Sequence, residues 1–428
     1  MLASLFAAAP PAEAAGRWSP PAALAGCAAG GAPQIVFPSN SPSHPTGPGA
    51  IVWTAGASCP GGPGALVQAI PPGGRPLAPV RPRSSSGEAL DPLGALVTSG
   101  SPHGEIAILG RDPRRPSDRL LVQGRAGGAF RRLDRSVSLS PQGTLASAYL
   151  GDLALLALTP GASPLTLSIE RFYTDALGPP RPLSTRRSGP LSTPSVAMDY
   201  RSDALVTWAQ SGWVWAAFAP AGRAPQRPQR LGPAGSVVQI AAVLSDNGRG
   251  LVLWSARRGE ETDTWLDYSA PGPRFGPPRL LETADDTRGT AQAPRLIRLS
   301  SESVMAAWQG WQSGRLAVRA APIDQHGLRA VTTIASPAGD ALLEALAPGP
   351  RDEAVLLLRE PRAPALFAAR GFESAGRAIF AAGETIAEAV TTAGATVAIE
   401  PGTGRAVAAW EGADNRIYYS TRTPGAAP

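Results

Sequence analysis

The chain carries only three histidines, His44, His103 and His326, and each sits in a polar turn (Ser43-His44-Pro45, Pro102-His103-Gly104, Gln325-His326-Gly327). Such positions read as exposed turn residues, not as bases held against a nucleophile. A serine hydrolase would also need a Gly-x-Ser-x-Gly elbow, which the sequence lacks. No phosphate-binding glycine pattern stands between a strand and a helix. Two cysteines, Cys27 and Cys59, are too few, and too far from any histidine, for a zinc site. In an exported chain an even count favours one disulfide, closing a loop of about 31 residues. Glu260-Glu261-Thr262-Asp263 and Glu282-Thr283-Ala284-Asp285-Asp286 offer clustered oxygens of the kind calcium takes, although solvated loops share that composition. No other cofactor is suggested, and no catalytic residue is nominated.

Aromatic chemistry is the better candidate. Of 10 Trp, Trp53, Trp208, Trp254, Trp308 and Trp410 end one recurring motif. Trp213, Trp265 and Trp311 fall outside that position, as does Trp215. Trp213 and Trp311 follow a repeat Trp closely, in or beside the next loop. There a Trp can stack on a sugar or anchor a protein contact. The alternative is packing between repeats: Trp213 and Trp215, two apart on a strand, would share one face.

The elements that must position these residues emerge from the repeat. Ser195–Trp208, Ile240–Trp254, Pro294–Trp308 and Thr396–Trp410 each read as strand, polar or Gly turn, then a strand ending in Trp. A third strand follows (Val214–Ala219, Thr264–Ser269, Leu316–Ala321, Arg416–Thr421), then a Pro-containing fourth segment. Pro suits an outermost strand, whose N–H need not join a ladder. Weaker copies lie at Ala50–Trp53, Glu105–Leu109, Leu153–Leu158 and Ala354–Leu358. The spacing is about 50 residues, the length of a four-stranded propeller unit. Unbroken apolar runs such as Leu251-Val252-Leu253-Trp254 predict strands buried on both faces, which a ring of stacked sheets supplies. The predicted fold is therefore all-β, a β-propeller of about eight four-stranded blades, with seven as the alternative count.

This pattern of turn Gly, apolar strand and Trp, with Phe275-Gly276-Pro277-Pro278, resembles bacterial secreted propellers with neuraminidase-type (sialidase-like) repeats. The stricter Ser-x-Asp-x-Gly-x-Thr-Trp box is absent; Ser245-Asp246-Asn247-Gly248 matches it in part. The resemblance implies a sialidase-like glycoside hydrolase as one reading. Such an enzyme uses three Arg around a carboxylate, a Tyr–Glu nucleophile pair and an acidic proton donor. Tyr is scarce (Tyr149, Tyr173, Tyr200, Tyr268, Tyr418, Tyr419), and Tyr200 and Tyr268 read as strand residues.

All 39 basic residues are Arg, against 33 acids, for a net charge of +6. The arginines are scattered through Pro-, Ser- and Gly-rich connectors, unlike the clustered basic face of a nucleic-acid binder. Residues 1–14 resemble the end of a secretory signal peptide, an apolar run closed by Ala12-Glu13-Ala14. Residues 15–30 form a segment able to close the ring, with 17–25 supplying an outer strand; 31–422 form the propeller, and 423–428 a disordered tail. No apolar run reaches membrane-spanning length. The expectation is an exported, monomeric, non-enzymatic scaffold that binds an extracellular protein or a glycan.

Overall fold

The computed structural model describes residues 16–424, apart from 29–31, 38–47, 57–58, 60–61, 83–96, 101–104, 113–114, 127, 129, 133–142, 148–152, 159–164, 171–180, 184–190, 273, 286–293, 300–302, 335–338 and 363. The expected signal segment at 1–14, His44, His103 and the last four residues lie outside that set. Among the described residues the strands form eight antiparallel sheets, one for each copy of the repeat. In chain order these blades span 34–70, 97–132, 143–182, 191–233, 236–285, 295–334, 342–387 and 390–422.

Their local chemistry follows from the sequence. In blade 4, Ser211 and Gly212 both take positive φ (51° and 76°) between the paired residues Gln210 and Trp213. Two left-handed residues are what a two-residue hairpin needs for its twist to match the strands. Ser313-Gly314 repeats this turn in blade 6. The second strands are buried on both faces, with Leu251, Val252, Leu253 and Trp254 each no more than 1% exposed. Burial on both faces requires a neighbour on each side. The innermost strands supply the geometry: Gln34–Val36, Val97–Gly100, Gly143–Ser147, Leu191–Met198, Ser236–Leu244, Arg295–Arg298, Leu342–Pro348 and Val390–Ile399 touch in succession, and the last touches the first. The architecture is a closed β-propeller.

Blade 8 draws its outermost strand from the other end of the chain. Ala22–Ala28 pairs antiparallel with Arg416–Arg422, matching Ala22 with Tyr419 and Ala23 with Tyr418. Upstream, Trp18 bridges Arg422, and the Ser19 hydroxyl accepts from the Thr421 amide at 3.0 Å. The closing strand thus brackets the third strand of blade 8.

The five repeat tryptophans have a common task. None is more than 1% exposed. Each packs against the outer part of the preceding blade: Trp208 with Leu183, Trp254 with Leu231, Trp410 with Ile386, and Trp53 with Leu24 of the closing strand. Trp308 donates from Nε1 to Glu282 of blade 5 at 3.1 Å. They are wedges between blades. Among the described residues the one helical segment is a single 3-10 turn at Pro350–Asp352, and no helix is long and apolar enough to cross a membrane.

Candidate functional site

Between blades 7 and 8 the wedge leaves a cleft of about 450 Å³. It opens on the rim that carries the turns between second and third strands. Trp410 forms part of its wall, with Gly412, Asp414, Tyr418, Glu388 and Pro21 of the closing segment. The aromatic pair follows from register, because Trp410 on Ala406–Gly412 lies opposite Tyr418 on Arg416–Arg422. Their rings stack at 6.3 Å and 17°. Trp410 is buried and supports the half-buried Tyr418, the ring a ligand would meet.

Gly412 makes that placement possible. A Cβ there would stand 2.6 Å from Tyr418 Cε2 and 2.8 Å from Cδ2, closer than real contacts allow. The turn that follows takes Asn415 at φ 60°, a conformation Asn tolerates better than most residues. Within this turn Tyr418 Oη donates to Asp414 Oδ2 at 2.8 Å, and the Arg416 amide donates to Asp414 Oδ1 at 3.2 Å. The hydrogen bond to Asp414 pushes the Tyr418 phenol above its ordinary range. What burial Asp414 has raises its carboxyl, but the bonds from Tyr418 and the Arg416 amide outweigh it and hold the group below its usual value. Arg416 Nε stands 3.8 Å from Asp414 with both side chains about half exposed, so this ion pair adds little. Glu388 is exposed, and no hydrogen bond or ion pair ties it to any described residue.

Two equivalent gaps, between blades 5 and 6 and between blades 4 and 5, are filled. In blade 6, Arg319 stands opposite Trp308 where blade 8 has Tyr418. It pairs with Glu282 of blade 5 at 3.3 Å, and Glu282 also accepts the Trp311 amide at 3.0 Å. In blade 5, Trp265 stacks on Trp254 at 6.3 Å, and Trp254 Nε1 donates to the Pro233 carbonyl at 3.0 Å. Gly232 lets that contact close, since a Cβ there would lie 2.8 Å from Trp254. Blade 7 instead offers Ala387 and Ala389 around Glu388, and these small side chains leave the space open.

The opposite rim, built from the turns between first and second strands, binds blades to each other. Asp246 of blade 5 accepts the Tyr200 amide of blade 4 at 3.3 Å and pairs with Arg298 of blade 6. Glu400 of blade 8 pairs with Arg405 at 3.2 Å and accepts the Gly73 amide of blade 1 at 3.2 Å. Towards the channel, Glu344 accepts from Arg359 at 2.6 Å through its carboxylate and from Arg295 at 3.0 Å through its carbonyl. These arginines are consumed by partners within the fold.

The sequence-nominated residues are spread over three blades. Trp213 begins the third strand of blade 4, is 36% exposed, and carries the Arg230 guanidinium 4.0 Å above its ring. Trp265 is packed in blade 5, and Trp311 lies on the second strand of blade 6 opposite Leu316. None of the three lines the cleft between blades 7 and 8. Tyr268 lies on a strand, whereas Tyr200 sits in the turn after Leu191–Met198 and is 41% exposed; the polar Arg201-Ser202-Asp203 that follows ends the strand before it. Asp263 is taken up by Thr283 Oγ1 at 2.7 Å. Among the described residues no group of three or more His, Cys, Asp or Glu is placed to hold a metal ion. Cys59 is buried at 4% exposure in the cluster that contains Leu24, and Cys27 lies within Ala22–Ala28.

Sequence reasoning missed Tyr418, Asp414 and Glu388. The signal was the motif Trp410-Glu-Gly-Ala-Asp-Asn-Arg-Ile-Tyr418, whose tight turn sets the two rings in register.

No family model matches the chain, and no curated protein does. The neuraminidase-type resemblance thus has no family match behind it. Solved structures do resemble the fold. Kuenenia stuttgartiensis hydrazine synthase is 11% identical, with a TM-score of 0.49 over 77% of this chain and 96% of that one. The polysaccharide lyase Uly1 is 10% identical, with 0.45 over 80% and 92%. The Hadza microbial sialidase Hz136 is 12% identical, with 0.37 over 74% and 73%. At these identities the likeness concerns the fold and carries no activity across.

Proposed function

We propose that this propeller is an exported binding scaffold whose ligand is a glycan held in the cleft between blades 7 and 8. The stacked Trp410–Tyr418 pair, flanked by Asp414 and Glu388 in a cleft of about 450 Å³, carries the reading. A concave site with an apolar aromatic wall and a few polar groups is the general form of a small-ligand site. Aromatic rings meet the C–H face of a sugar, and carboxylates accept from its hydroxyls. Trp213 is a second aromatic contact on the same rim. The Cys27–Cys59 disulfide is proposed to tie the closing strand to blade 1; no described cysteine is a free thiol, which suits an oxidising compartment.

The competing reading is a glycan-cleaving enzyme, favoured by the Tyr418–Asp414 hydrogen bond and a second carboxylate in one cleft. A tyrosine nucleophile needs a carboxylate base beside it, and Asp414 stands in that place, but the bonds it accepts hold its carboxyl below its usual value and make it a weak proton acceptor. Binding without cleavage is therefore the preferred function. A glycan array with wild type, Tyr418→Ala, Trp213→Ala and Trp311→Ala tests it. Loss in Tyr418→Ala is expected, with little change in Trp311→Ala. Unchanged binding in Tyr418→Ala removes the proposed site, and shortened glycans after incubation with wild type would reinstate the enzyme.

A further inference from the structure

The cleft does not share the charge of the molecule around it. The chain is +6 overall and rich in Arg, yet the charged residues lining the cleft are Glu388 and Asp414. Their states differ. Asp414 already accepts from Tyr418 Oη at 2.8 Å and from the Arg416 amide at 3.2 Å, and Arg416 Nε stands 3.8 Å away. Glu388 bonds to no described residue and is exposed at the mouth.

From this charge pattern, and resting on the glycan reading above, we infer that the cleft selects a sugar bearing a free amino group, whose ammonium pairs with Glu388 while its ring lies on Tyr418. Three physical effects favour that class over an acidic or a purely hydroxylated sugar. An ammonium–carboxylate hydrogen bond is about twice as strong as one between neutral groups. A cation near an indole or phenol face is attracted by the ring quadrupole. A uronate or sialate would bring its carboxylate towards two others, with no arginine in the lining to receive it. The net positive charge of the rest of the chain repels a polyamine at long range. Any preference for amines must therefore arise locally, and because Glu388 is exposed it should weaken as salt is raised.

The test is calorimetric titration of the full chain with three tetrasaccharides: a fully deacetylated chito-oligosaccharide, its N-acetylated counterpart and an oligogalacturonate. Wild type, Glu388→Gln and Tyr418→Ala are compared. In wild type the amine form is expected to bind about tenfold tighter than the acetylated form, and the galacturonate not measurably. In Glu388→Gln the two chito-oligosaccharides should bind equally. Tyr418→Ala should lose both. Equal binding of amine and acetylated forms by wild type, tight galacturonate binding, or an amine preference that survives Glu388→Gln overturns the inference while leaving the glycan site in place. If folded wild type binds none of the three, the amino-sugar inference falls while the glycan site stands or falls by the array; binding that is unchanged in Tyr418→Ala removes the glycan site at this cleft as well.

Discussion

Asp267, on the third strand of blade 5, is 1% exposed. Burial pushes its carboxyl up from 3.8 to about 7, against the lowering pull of the Tyr268 and Gly276 amides. Asp199 of blade 4 is raised to about 6, again mainly by burial. In the unfolded chain both ionise near 4. Between about pH 4 and 7 the folded protein holds more protons than the unfolded one, so stability falls as pH rises through that window. For Asp267 the shift corresponds to up to about 4 kcal/mol. Urea midpoints measured from pH 4 to 8 should therefore decline for wild type and decline less for Asp267→Asn; parallel profiles would show that Asp267 is not the source. At the cleft, Gly412→Val should displace Tyr418, because the 2.6 Å clearance admits no Cβ. Glycan affinity is expected to drop about tenfold or more with a small change in stability, read by titration alongside thermal melting.

At the level of elements, the wedge tryptophans and the rim aromatics should behave oppositely. Trp308 is 1% exposed and also anchors Glu282 of the neighbouring blade. Trp308→Ala should cost about 3–5 kcal/mol, the range for emptying a large aromatic site. Trp213, 36% exposed, should cost under about 1 kcal/mol when truncated. Denaturant titration of the two variants separates these outcomes. This division was partly legible in the sequence. The repeat position of Trp254 and Trp308, each ending an apolar run, already marked them as packing residues, because period and hydrophobicity are local properties. Trp265 was harder, since its burial depends on lying opposite Trp254, which only the hairpin register reveals. The cleft was hidden for a larger reason. Glu388 and Tyr418 come from different blades, and the closing segment with Pro21 comes from the far end of the chain. No periodicity of one segment predicts which side chains of the next blade face it, or that Ala387 and Ala389 leave a gap where Glu282 plugs the equivalent space.

For the whole molecule, ring closure and site are one problem. The Ala22–Ala28 strand holds the outer edge of the strand that carries Tyr418, and Trp53 of blade 1 packs beside Leu24 of that same strand. Deleting residues up to Ala28 should lower the melting temperature, expose an unpaired edge prone to association, and abolish glycan binding together. Melting and light scattering check this, and unchanged melting would contradict closure by this strand. The central claim is that ligand sits at the seam between blades 7 and 8. Hydrogen exchange with and without a bound oligosaccharide tests it most directly. The account predicts new protection confined to peptides covering 384–390 and 410–420. Protection centred instead on the inner strands around the channel, with none at 410–420, would contradict it.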